Sequence, residues 1–89
     1  MVSKRLEEFL RTWCNPETDP VEVASMLSDR SGTYYRGWLE SEMLAAARGG
    51  ELTPRSIARL ADLGFDDQRE VDGWLRTVWP IWFSRPYPG

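Results

Sequence analysis

The sequence predicts an all-α fold, a compact bundle of about five short helices in a single domain, and three observations predict it. Apolar residues recur at helical spacing through most of the 89-residue chain. Capping residues, prolines at first helical positions and glycines bracket those periodic segments. No stretch alternates apolar with polar residues as a half-buried strand would. There is also no internal repeat and no low-complexity segment.

The elements follow in order. Leu6, Phe9, Leu10 and Trp13 form one apolar face, which predicts a first helix from Ser3 to Cys14, ended by Asn15 and Pro16. Asp19-Pro20-Val21-Glu22 then combines an N-cap, a proline at the first helical position and a capping-box glutamate. Val23, Met26 and Leu27 face inward on that second helix, which frays over Ser28–Gly32.

Tyr35, Trp38, Leu39, Met43 and Ala46 predict one continuous third helix from Thr33 to Arg48. Gly37 inside it costs roughly 1 kcal/mol relative to alanine, and close approach of another helix beside Trp38 would explain it. Gly49-Gly50 stops the helix.

The stretch Thr53–Phe83 carries the rest. Thr53-Pro54 caps a fourth helix with Ile57, Leu60 and Ala61 on its inner face, and Gly64 is expected to end it with a positive φ. Asp67 and Glu70 form the capping box of a fifth. Val71, Trp74, Leu75, Val78 and Trp82 make its stripe, and Pro80 predicts a kink or a stop near Val78–Trp79. The helical domain thus spans residues 1–83, followed by an extended, mobile Pro-rich tail over 84–89.

Composition narrows function. A chain this short needs an efficient core, and eleven aromatics can supply one. Cys14 is the only cysteine, so no intrachain disulfide supports the fold and a reducing compartment is permitted. Glu7 and Glu8 interrupt any N-terminal apolar run, and no segment approaches the roughly 18 apolar residues of a membrane span. The expectation is a soluble, cytoplasmic protein with no membrane partner.

Histidine is absent, which removes the usual general base and the commonest metal ligand. Cys14 has no imidazole to activate it and reads as a buried structural thiol. No phosphate-cradling glycine loop occurs. Glu40 and Glu42 are two residues apart on a helix and cannot form a carboxylate dyad. Asp62, Asp66 and Asp67 lack the spacing of a calcium loop. The expectation is a non-enzyme without cofactor or metal.

Net charge is −3, but its distribution is uneven. Between Asp62 and Asp72 stand five acids (Asp62, Asp66, Asp67, Glu70, Asp72) and one base, Arg69. Such an edge repels phosphate backbones and suits a basic protein surface. Glu40 or Glu42 could extend it, and Tyr34, Trp79 and Trp82 are candidate anchors. Helix-dipole stabilisation alone could also account for Asp66, Asp67 and Glu70.

Three resemblances bear on the Thr53–Phe83 pair. Leu52-Thr53-Pro54-Arg55-Ser56-Ile57-Ala58-Arg59-Leu60-Ala61 resembles the opening of helix-turn-helix DNA readers, whose second helix would here present acids to the groove. Leu63-Gly64-Phe65 between two helices resembles a ubiquitin-associated domain. The third resemblance spans Leu6 to Phe83. Its features are Glu51-Leu52-Thr53-Pro54 at a helix start, Leu63-Gly64-Phe65-Asp66 at a turn, and Glu70-Val71 followed by Trp74-Leu75-Arg76 and Trp79 in a closing helix.

In these the chain resembles the small immunity proteins of contact-dependent growth inhibition and other polymorphic bacterial toxin systems. That resemblance implies a cytosolic protein that binds and blocks one cognate toxin domain, and it implies no catalytic residues. A helical adaptor or regulator of another protein is the alternative, and DNA binding comes third.

Overall fold

The computed structural model describes residues 2–88 and contains six α-helices and no strand among them. Helix α1 is Lys4–Trp13, α2 Pro20–Ser28, α3 Thr33–Arg36, α4 Leu39–Arg48, α5 Pro54–Ala61 and α6 Gln68–Phe83. A 3-10 turn, Arg30–Gly32, joins α2 to α3.

Local chemistry sets the starts. Ser3 accepts from the Leu6 amide at the head of α1, and Asp19 accepts from Val21 at the head of α2. Glu22 does not reciprocate as a capping box would require. The full box lies instead at α5. There Thr53 Oγ1 accepts from the Ser56 amide and the Thr53 amide donates to Ser56 Oγ, at 3.1 and 2.9 Å. At α6, Asp67 accepts from the Glu70 amide at 3.0 Å. Glu70 reaches back one residue further than expected, accepting from the Asp66 amide at 2.6 Å.

Three expectations are corrected here. The helix predicted over Thr33–Arg48 breaks at Gly37-Trp38. Trp38 leaves the helical region (φ −144°) and its indole is buried, edge-on to Tyr34 and against Tyr35, with the Arg5 guanidinium 4.6 Å from its ring centroid. Placing that large side chain inward outweighs continuing the backbone ladder. Gly37 is not a close-approach point: a Cβ there would meet nothing within 4 Å. The tight glycine is Gly32, where a Cβ would stand 2.3 Å from the Leu27 carbonyl oxygen. Arg36 fastens this corner, donating from Nη1 to the carbonyls of Leu27 and Asp29 and from Nη2 to Thr33 Oγ1.

The second correction concerns the end of α5. Asp62, not Gly64, takes the left-handed conformation there (φ +56°). Aspartate tolerates that region better than most residues because its short side chain can bond locally.

The third concerns the stop, one of the two outcomes expected at Pro80: α6 does not end there but runs sixteen residues, through to Phe83. A proline in a helix interior costs about 3 kcal/mol. Each large apolar side chain taken from water returns roughly 1.5–3 kcal/mol, and Val78, Trp79 and Trp82 are all buried. Continuing the helix wins.

The core follows from these elements. Helix α6 packs on α2, and α1 packs on α5 and α4. Leu6, Phe9 and Leu10 of α1, Val23 and Leu27 of α2, Met43 of α4, Ile57 of α5 and Val71, Leu75, Val78 and Trp79 of α6 meet in one cluster. Its aromatic contacts are mainly edge-to-face, as ring quadrupoles favour. Phe9 stands against Trp82 at 5.7 Å, and Trp79 against Phe83 at 4.8 Å.

The tail beyond α6 is extended but not free. Ser84 takes φ +58° and turns the chain back, and Tyr87 lies on Trp79 at 4.9 Å. No helix among the described residues is long and apolar enough to cross a membrane.

Candidate functional site

The anchors proposed from sequence separate sharply. Trp79 is 0% exposed and Trp82 8%, so neither can meet a partner; both are core. Phe83 and Tyr87 close over the Trp79 ring. Its indole Nε1–H donates to Glu40 Oε2 at 3.0 Å, and Trp82 Nε1–H donates to the Pro20 carbonyl at 3.0 Å. Tyr34 remains, 60% exposed on the single turn of α3. Its ring rests against Tyr35 and Trp38, which belong to the α3–α4 junction.

Glu40 and Glu42 are committed within the chain. Besides the Trp79 bond, Glu40 Oε2 pairs with Arg85 Nε at 3.3 Å. Glu42 accepts from the Ser3 hydroxyl and from Arg5, joining the head of α1 to α4. The Ser3 bond is the chief cause holding its carboxyl below the ordinary value; the Arg5 bond and charge act the same way, and burial opposes them. These two carboxylates therefore fasten helices and do not extend an acidic edge.

The five acids of the α5–α6 region do not share one face. Asp62, Asp66, Asp67 and Glu70 are exposed, at the end of α5, in the connecting turn and in the first turn of α6. Asp72 lies elsewhere. Successive helical residues turn by about 100°, so Glu70 and Asp72 flank the buried Val71 on opposite sides. Asp72 accepts from Gln68 Nε2, which also donates to the Leu52 carbonyl. Its charge, with burial the larger cause, pushes the Tyr87 phenol up; Arg76 and Arg48 act on the same phenol in the other direction. Asp72 is half-buried and lies across Val71 from Glu70, apart from the exposed acids of the turn. The exposed acids of the α5–α6 turn are Asp62, Asp66, Asp67 and Glu70.

Part of that surface has a local explanation. Asp67 and Glu70 cap α6, and Asp62 ends α5. Asp66 and Asp62 contribute backbone amides to the caps, so among the four only Asp67 and Glu70 cap through their carboxylates.

Cys14 is 5% exposed, and burial pushes its thiol up to about 12, the opposite of an activated nucleophile. No group of three or more metal-ligating side chains is placed to hold an ion among the described residues.

One concavity escaped the sequence reading. A cleft of about 310 Å³ lies where the end of α2, α3, the first turn of α4 and the end of α6 meet. Leu39, Trp82 and Phe83 supply its apolar wall, and Arg36, Glu40 and Arg85 its charges. Residues from four elements form it, so periodicity along any one helix could not reveal it.

Comparison with protein-family models, with curated proteins and with solved structures found no match to this chain.

Proposed function

We propose that this chain is a cytoplasmic, non-enzymatic immunity protein that binds a cognate bacterial toxin domain and blocks it. The observation that carries the reading is the exposed carboxylate group at the α5–α6 turn. Asp66 and its neighbours Asp62, Asp67 and Glu70 project from a turn fixed by two helix caps. A fixed acidic turn steers association with a basic surface and disfavours phosphate backbones. A nuclease domain, whose cleft is basic to hold phosphate, is the toxin class that this charge fits. The motifs Glu51-Leu52-Thr53-Pro54 and Leu63-Gly64-Phe65-Asp66 support the family assignment on which the word toxin rests.

The test is genetic. The gene for this chain is deleted from its host with the adjacent toxin gene intact, and again with that toxin gene removed. Immunity predicts that growth fails only in the first strain. Equal growth of both strains would refute the assignment and favour an adaptor that regulates some other protein.

A further inference from the structure

We infer that the cleft between α3 and the C-terminal end of α6 is a second docking site, and that it takes a carboxylate-bearing side chain of a protein partner lying next to an apolar one. The inference stands apart from the acidic turn and does not require the partner to be a toxin.

An indole hydrogen bond and an ion pair stand in series beside the cleft. The buried Trp79 Nε1–H fixes Glu40 Oε2, and Glu40 Oε2 in turn pairs with Arg85 Nε. A guanidinium held through Nε has its two terminal nitrogens left over. Those form the planar fork that matches a carboxylate with two parallel bonds. Arg85 is 67% exposed at its side chain and lines the cleft, so this fork is reachable from solvent. An arginine waving on an unanchored tail would forfeit much of the gain to lost rotamer freedom. Here the reversed chain at Ser84 and the Glu40 pair have already restricted it.

Charge selects the same occupant. The cleft's two guanidiniums, Arg36 and Arg85, outnumber its single carboxylate, Glu40, in a chain whose net charge is −3. Arg36 spends three N–H groups on Leu27, Asp29 and Thr33, so it acts as a fixed positive charge in the wall. The half-buried rings of Tyr35 and Phe83 offer apolar surface to the stem of the acidic residue and to its neighbour. A cationic group would meet two like charges there.

The experiment uses the full chain labelled with nitrogen-15 and two probes, N-acetyl-Leu-Glu-amide and N-acetyl-Leu-Gln-amide. The Arg85 Nε–H and Phe83 backbone amide signals are followed at low salt, up to millimolar peptide. The glutamate peptide is expected to shift both to saturation, and the glutamine peptide to bind at least tenfold more weakly. In Arg85→Gln the difference between the peptides should vanish, and Arg85→Lys should keep only part of it. Equal response to both peptides, or an unchanged response in Arg85→Gln, overturns the inference. Shifts that grow with protein concentration in the absence of peptide would assign the cleft to a second copy of the chain and overturn it as well.

Discussion

Removing the indole N–H of Trp79 tests the relay that joins α6, α4 and the tail. In Trp79→Phe the aromatic ring is kept but the bond to Glu40 is lost. A hydrogen bond to a charged group contributes about 1.5–3 kcal/mol. Because Trp79 is fully buried, the smaller ring also leaves a void that adds ~1 kcal/mol or more. The expected loss is therefore about 3 kcal/mol, against a total of roughly 4–13 kcal/mol for a domain of this length. That corresponds to a fall in Tm of roughly 12–24 °C. Urea denaturation followed by circular dichroism gives the free energies.

The decisive quantity is the coupling in a double-mutant cycle with Glu40→Ala. Because the Glu40 side chain is 28% exposed, the coupling should fall at the lower end of that range, ~1.5 kcal/mol. Strict additivity of the two substitutions would show that the Trp79–Glu40 bond is not made, and the anchoring of Arg85 would go with it.

Other expectations follow from single features. The Cys14 thiol should resist alkylation at pH 8 in the folded chain and react at once in denaturant. Its pKa is higher folded than unfolded, so its contribution is complete below about pH 9 and declines as pH rises towards 12; Cys14→Ala should flatten that alkaline loss, and an unchanged slope would refute it. Glu42 has the reverse sign. Its folded pKa is depressed, so its contribution holds above the ordinary carboxylate range near ~4.3 and is lost as pH falls through the folded value. Stability of Glu42→Gln measured from pH 6 to 2.5 should therefore fall less steeply than that of the parent. Gly32→Ala should cost ~2 kcal/mol or more, since its Cβ would strike the Leu27 backbone. Gly37→Ala should be neutral or stabilising by up to ~1 kcal/mol, and equal losses at both glycines in chemical denaturation would contradict the packing described.

Much of the fold was legible because helix punctuation is local. Ser3, Asp19-Pro20, Thr53-Pro54 and Asp67 each mark a helix start within a few residues of sequence, and each caps one in the structure. The misreadings arose where tertiary burial opposed a local preference. Pro80 reads as a breaker until the burial of Trp79 and Trp82 is weighed against it. Trp38 fits the stripe of a continuous helix, yet its indole reaches the core by leaving that helix. The candidate surface was less legible for a related reason. A run of acids in sequence gives a charge, but the turn of the helix parts Glu70 from Asp72. Glu40 and Glu42 looked free because their partners, Trp79, Arg85, Ser3 and Arg5, lie about forty residues away along the chain.

The central claim is that the acidic turn guides the chain to a basic protein partner, and it can be separated from capping. Asp66→Asn, Asp67→Asn and Glu70→Gln together remove three charges while keeping side-chain acceptors that can cap α6. The measurement is the stopped-flow association rate with the adjacent gene's toxin domain at 20 mM and 500 mM salt. The account predicts that the triple variant folds normally, associates at least tenfold more slowly at low salt, and matches the parent at high salt. An association rate equal to the parent's at 20 mM salt would contradict it and leave Asp67 and Glu70 as helix caps alone.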